Sequence, residues 1–277
     1  MANLRVADRP HKNLARFVGI CSDFNLARAP NAQRTPCLVF QRASEGSVKE
    51  ALAKKVSLGT PVQWALQIAR GLAHLHRLDI IHRDLAARNV LVAIGEVSKQ
   101  PVLQICDVGH ARLVEQTGGR YRAVITVGAP RWLAPESIRL QDFSKASDAW
   151  MFAVTVWEIL NECALEPFPD ADDSVFNQRP DQLARAMEAG CTTRTGSLWL
   201  GSTLPASCPQ ALRDLLFECW RVDSTQRPPL SKIVETVIAI VSHELIRASL
   251  CSSSSFERAG TGVANCNCDE RATDCAA

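Results

Sequence analysis

The chain has 277 residues, 47% of them hydrophobic and 22% charged, which is enough apolar content for a sizeable core and excludes disorder throughout. Its 31 basic and 29 acidic residues leave a formal net charge of +2, with no basic stripe to follow a nucleic-acid backbone, so nucleic acid is not an expected partner. No run approaches the roughly 18 to 20 apolar residues needed to span a bilayer, and the longest, IVETVIAIV, contains Glu235.

The amino terminus, MANLRVADRPHK, carries charges where a secretory signal needs an apolar core, and a cytoplasmic location is expected. Two short runs rich in Val, Ile and Phe, LARFVGICSDF and RTPCLVFQR, predict two strands. TPVQWALQIARGLAHLHRL sets Val62, Leu66, Ile68, Ala69, Leu72 and Leu75 at helical spacing behind a Thr60 cap and Pro61. NVLVAI and PVLQIC predict a hairpin across GEVSKQ. From Ser147 onward four helices are expected, in SDAWMFAVTVWEILN, PDQLARAMEAG, CPQALRDLLFECW and PPLSKIVETVIAIVSHELIR. Strands early and helices late make the fold class α+β. Residues 248–277, with a serine run and few large apolar side chains, read as a disordered tail. Of eleven cysteines, Cys21, Cys37, Cys106, Cys163 and Cys219 lie in apolar segments and are expected as buried free thiols; Cys266, Cys268 and Cys275 fit no common metal spacing.

The chemistry-bearing residues fall between the long helix and the helical half. IIHRDLAARNVLV places Asp84 five residues before Asn89, and CDVGHA places Asp107 at the end of the hairpin. Three oxygen-bearing side chains near adjacent strand ends suit a divalent ion and a nucleophilic hydroxyl.

HRDLAARN, DVG and APE (Ala134 to Glu136), in this order, resemble the HRDLxxxN, DFG and APE motifs of eukaryotic protein kinases. The resemblance extends over about residues 11–245. It implies a partial small lobe of about two strands (1–40), a hinge (41–46) and a complete, mainly helical large lobe (47–247). ATP, Mg2+ and a protein substrate are the implied cofactor, metal and partner. By resemblance Asp84 is the catalytic base, Arg88 its neighbour in the catalytic loop, and Asn89 and Asp107 the magnesium ligands. Phe40 is the gatekeeper, Gln41 and Ala43 offer backbone groups to adenine, and Leu91 forms its floor. His82 and Arg83 belong to the loop scaffold, with Arg83 facing the activation segment. Asp148 would bond the catalytic-loop backbone, and Arg227 would pair with Glu136; a plain helix cap and an exposed arginine are the alternatives for these two.

The acceptor hydroxyl draws conflicting signals. AAR after the catalytic aspartate resembles tyrosine kinases, whereas TVGAPRWLAPE is closer to the tyrosine-kinase-like serine/threonine group. Ala129 stands where a serine/threonine enzyme would have threonine, and the balance favours tyrosine. The segment from Asp107 to Glu136 matches an activation segment, and Tyr121, the chain's single tyrosine, is the expected phosphorylation site, with Arg83 a partner for its phosphate.

The sequence also departs from the kinase pattern. It has no Gly-rich loop, its only lysine before Phe40 is Lys12, its first glutamate is Glu45, and Val108 replaces the DFG phenylalanine. A fragment of a longer kinase is one expectation and a pseudokinase that binds partners is the other.

Overall fold

The structure is a computed structural model that describes residues 10–21, 37–56, 58–95, 98–115, 117–123, 129–168, 181–182, 184–185, 187–188, 200 and 203–258. The chain divides into a compact unit, residues 1–240, and a second unit, residues 241–277.

Strands β1 (Phe17–Cys21) and β2 (Cys37–Phe40) pair antiparallel, with Phe17 opposite Phe40, and their rings meet edge to face at 5.7 Å. Leu14 bridges Ile105, whereas Val18 (65% exposed) and Ile20 (57%) stand in the open. Helix α1 (Val48–Ala53) was not anticipated; it is six residues long and exists through its start, where Ser47 and Glu50 form a reciprocal capping box.

Helix α2 (Pro61–Arg77) begins as expected at Thr60, which forms a capping box with Gln63, and Pro61 sits in its first turn. Gly71 lets the preceding loop lie on this helix, since a Cβ there would fall 2.5 Å from the Asn13 carbonyl oxygen. Strand β3 (Ile80–Ile81) leads into the loop that carries Asp84, and the expected hairpin follows as β4 (Val90–Ile94) and β5 (Pro101–Ile105), paired Val90 to Ile105 through Ile94 to Pro101.

The segment after Asp107, matched in the sequence to an activation segment, contains two short strands. β6 (Arg112–Leu113) pairs with β3, and β7 (Arg120–Arg122) pairs with β8 (Asp142–Ser144). Runs of two or three residues are too short for periodicity to reveal; they exist because a distant strand supplies partners for their backbone groups. Between them lies helix α3 (Pro135–Leu140).

Helix α4 (Lys145–Leu160) starts two residues before the expected Ser147, because Ser144 is the cap and forms a reciprocal pair with Ser147. Its residues 147–160 are all buried, including Trp150, Phe152 and Trp157. An apolar surface all around the helix marks it as the centre of the core, and α2 and α5 (Gln210–Cys219) pack on it. The helix expected at 180–190 lies largely outside the described residues. Helix α6 (Leu230–Arg258) runs eleven residues past the expected boundary at 247, through Ser252 to Ser255. Serine is only a weak helix former, but an established helix extends through it at small cost per residue. The expected tail beyond 258 lies outside the described residues. The described cysteines are all free; Cys208 and Cys219 are buried, while Cys21, Cys37, Cys106 and Cys163 are half-buried rather than fully buried. No helix among the described residues is long and apolar enough to cross a membrane.

Candidate active site

The loop between β3 and β4 is fixed from below by one carboxylate. Asp148, in the first turns of α4 and fully buried, accepts the backbone N–H groups of His82 (2.8 Å) and Arg83 (3.1 Å) and bonds His76 Nε2 at 2.9 Å. Helix capping does not explain Asp148, since Ser144 performs that role. The Arg83 backbone lies in the left-handed region at φ 73°, a strained conformation for a side-chain-bearing residue that these bonds hold in place.

His82 ties the loop to the end of β5. Its Nε2 bonds the Cys106 carbonyl at 3.0 Å, and its Nδ1 accepts the Asp84 N–H at 3.3 Å, so the network assigns the neutral tautomer with the proton on Nε2. Asp84 is then aimed by two neighbours. Arg88 Nη2 donates to Oδ1 at 2.7 Å, and Asn89 Nδ2 donates to Oδ2 at 2.9 Å and to the Asp84 carbonyl at 2.6 Å. With its amide nitrogen turned inward, Asn89 has its side-chain oxygen left for another partner.

Asn89 also accepts the Cys106 N–H at 2.9 Å through its carbonyl, which places Asp107 beside it. Asp107 is exposed, in the left-handed region at φ 56°, and receives only the Gly109 N–H at 3.3 Å. Next to it Cys106 is half-buried, and burial together with Asp107 pushes its thiol up to about 11, so it stays protonated. Among the described residues no three His, Cys, Asp or Glu side chains are grouped to hold a metal. Asn89 and Asp107, next to the paired ends of β4 and β5, offer oxygen ligands, the kind that suit a hard ion such as Mg2+ taking its remaining ligands from phosphates and water. Val108, at the phenylalanine position of the motif, is buried at 7% exposure.

Leu91 is half-buried on the face of β4 opposite Val90 and Val92. Gln41 donates its N–H to the Arg16 carbonyl at 2.8 Å, while the Ala43 backbone N–H makes no hydrogen bond among the described residues. Phe40 packs on Phe17 and is 36% exposed.

Glu158 was missed by sequence reasoning although it was visible there, as a lone acid deep in an apolar helix. Its Oε2 accepts the Ala87 N–H and the Trp132 indole N–H, both at 2.9 Å. Arg88 lies over the Trp132 ring at 5.2 Å, so Glu158, Trp132 and Arg88 lead to Asp84 as a continuous chain of contacts. Burial raises the Glu158 pKa above its ordinary value despite these bonds. Further along, Arg227 donates to both Glu136 oxygens at 2.6 and 2.8 Å and to the Arg221, Ala146 and Val222 carbonyls, with its side chain fully buried. It is not an exposed arginine.

Tyr121 lies in β7, opposite Phe143. Arg83 is sandwiched between their rings, 4.5 Å from one centroid and 4.4 Å from the other, and Arg112 lies 5.4 Å from the Tyr121 ring. The guanidinium of Arg83 donates to the His110 carbonyl at 3.1 Å, but its buried Nε and Nη2 have no hydrogen-bond partner among the described residues. Desolvation and Arg112 lower the Arg83 pKa, and the same Arg112, helped by Arg83, lowers that of Tyr121.

A catalytic loop of this make-up, set between a long helix and a β-hairpin and tied to a buried central helix, is that of a protein kinase. The chain belongs to the family described as protein tyrosine and serine/threonine kinase, whose pattern matches residues 4–237. It is 32% identical over 237 residues to a mitogen-activated protein kinase kinase kinase of Drosophila melanogaster, covering 83% of this chain and 18% of that protein. Mitogen-activated protein kinase kinase kinase 10 of Xenopus laevis is 32% identical over 254 residues, 89% of this chain and 22% of the relative. Epithelial discoidin domain-containing receptor 1 of Pan troglodytes is 34% identical over 234 residues, 80% and 24% respectively. The chain thus spans about a fifth to a quarter of the length of these curated relatives.

Proposed function

We propose that the chain carries the catalytic loop of a kinase that moves the γ-phosphate of ATP to a protein hydroxyl. The observation that carries this reading is the aim of Asp84, whose two carboxylate oxygens are held by Arg88 and Asn89 while the backbone beneath is pinned by Asp148. A fixed carboxylate orients the attacking hydroxyl and accepts its proton as the new P–O bond forms and the bond from the γ-phosphorus to the bridging oxygen breaks, releasing ADP. Arg88 places a positive charge beside the Asp84 carboxylate and fixes its orientation. Magnesium, when bound, would neutralise charge on the transferring phosphates. Asn89 Oδ1 and the exposed Asp107 carboxylate are the groups that would hold it.

The adenine edge is assigned to Leu91 as floor, with the Gln41 carbonyl and the Ala43 N–H as the acceptor and donor for the base and Phe40 at its back. In this reading residues 1–40 are part of the small lobe, 41–46 the hinge and 47–247 the large lobe.

Two observations bear on the acceptor. The relatives named mitogen-activated protein kinase kinase kinases favour serine or threonine. The Arg88 bridge to Asp84, with Ala86 in place of a lysine and Ala129 in place of threonine, favours tyrosine. Phosphoamino acid analysis of a labelled protein substrate separates them, phosphotyrosine supporting one and phosphoserine or phosphothreonine the other.

Tyr121 is assigned as a phosphorylation site within the activation segment. The unpartnered Nε and Nη2 donors of Arg83, together with Arg112, lie on the ring that would carry the phosphate, and an added charge of about −1.5 to −2 would give them an acceptor. A supporting test is label at Tyr121 after incubation with ATP; a Tyr121→Phe chain that incorporates the same amount of label contradicts it.

A further inference from the structure

Away from the catalytic loop, the last turns of α2, the start of α4 and the start of α6 enclose a cavity of about 630 Å³. Its lining includes Arg70 and Arg77 from α2, Lys145 from α4 and His11 from the loop before β1. Arg70 and Arg77 lie on one face of α2, seven residues or nearly two turns apart. Neither has a carboxylate partner among the described residues; Arg77 donates instead to His74 Nδ1 at 3.1 Å. Lys145 pairs with Asp79 at 2.7 Å, and both are substantially exposed. The single acid on the wall, Glu235, is exposed on α6 and 3.6 Å from Lys232.

The imidazoles report the same excess of positive charge. His11 stacks on His74 at 4.8 Å and accepts the Asn13 N–H on Nδ1 at 3.2 Å, so its Nε2 carries the proton. Burial, followed by His74, Arg77, Lys12 and Arg70, pushes the His11 pKa down to about 4. His76, also on the wall, bonds Asp148, so the cavity and the catalytic loop share one buried hydrogen-bonded pair.

We propose that this cavity binds a small, multiply charged phosphate, held by Arg70, Arg77 and Lys145 with His11 as an added donor. Charge on the wall, rather than shape, selects the ligand: two guanidinium forks suit phosphate oxygens, and the cavity accommodates a ligand of a few phosphate groups. Soluble phosphate esters and the headgroups of phosphorylated lipids share this chemistry; the small ligand proposed is the soluble source, and the vesicle arm of the test separates the two.

The test uses the full chain and inorganic tripolyphosphate, followed by calorimetry and by the histidine ring resonances in NMR near pH 6. The expected result is saturable binding that weakens at least about tenfold in Arg70→Gln/Arg77→Gln, with the His11 ring resonances shifting as its Nε2–H gains an anionic partner. Glutamine preserves helix propensity at these two part-exposed positions, so the double variant should keep its fold. Equal affinity in wild type and double variant overturns the proposal. So does binding that leaves the His11 resonance unmoved, a readout taken on the wild-type chain alone. Retention on vesicles containing phosphatidylinositol bisphosphate that tripolyphosphate fails to displace overturns the soluble-phosphate assignment.

Discussion

Replacing Asp148 with alanine removes the one group that satisfies three buried donors, the His82 and Arg83 backbone N–H groups and His76 Nε2. Each buried donor left unpaired costs about 1–3 kcal/mol, and water entering the gap recovers part of it, so a net loss of roughly 3–5 kcal/mol is expected. The alanine is helix-compatible and the cap at Ser144 is untouched, so the loss is not a helix effect. Urea unfolding followed by tryptophan fluorescence measures it. With a slope of about 2–3 kcal/mol per molar, the midpoint should fall by roughly 1–2 M, if the variant folds at all. Asp223→Ala, which removes an exposed 3₁₀-helix cap, should move it by less than about 0.5 M. A midpoint for Asp148→Ala within that same range would refute the claim that this carboxylate holds the catalytic loop.

The single tyrosine allows a direct titration by absorbance: its midpoint should lie below 10, because Arg112 and Arg83 stabilise the phenolate, and Arg112→Gln should shift it upward. A wild-type midpoint at or above 10 contradicts the arginine contacts. Arg227→Ala should cost about 3–5 kcal/mol, since it strips both bonds from the Glu136 carboxylate, and thermal unfolding reads it; a loss under about 1 kcal/mol contradicts a buried pair. For Glu158 the folded pKa is raised, so the folded state keeps its proton to higher pH than the unfolded chain does. Its contribution is therefore full below about 4.5 and declines as pH rises through the folded value. Glu158→Gln should flatten that part of the stability profile, and an unchanged slope would contradict the assignment. Finally, Mg2+ and ATP should raise the melting temperature of the chain little, because no Gly-rich loop or strand lysine is present to cover the phosphates; a rise of several degrees contradicts this.

Long elements were legible because their signals are local. Thr60, Pro61 and the apolar face of α2 lie within one helix, and the alternation in β4 and β5 repeats in adjacent strands. Short elements were hidden because their causes are remote: β7 exists only because β8 lies beside it, and α1 depends on the Ser47 and Glu50 pair. In the site, the HRD, DVG and APE motifs gave residue identities, while the geometry depended on partners far along the chain. Glu158 reaches Ala87 across 71 positions and Asp148 reaches His82 across 66, separations that no window of sequence displays. Asp148 shows the gain most clearly, since a capping role and a loop-holding role were both open until Ser144 proved to be the cap.

The most direct test supplies the missing phosphate cover. A hybrid is made in which the Gly-rich loop and lysine strand of the Drosophila relative precede Asn13, and transfer of labelled γ-phosphate from ATP to a general protein substrate is measured with magnesium. The expected result is transfer that falls at least about a hundredfold in Asp84→Asn, as for loss of a positioned catalytic base. Transfer that survives Asp84→Asn unchanged, or a folded hybrid that transfers no phosphate, would contradict the assignment of this loop as the catalytic centre.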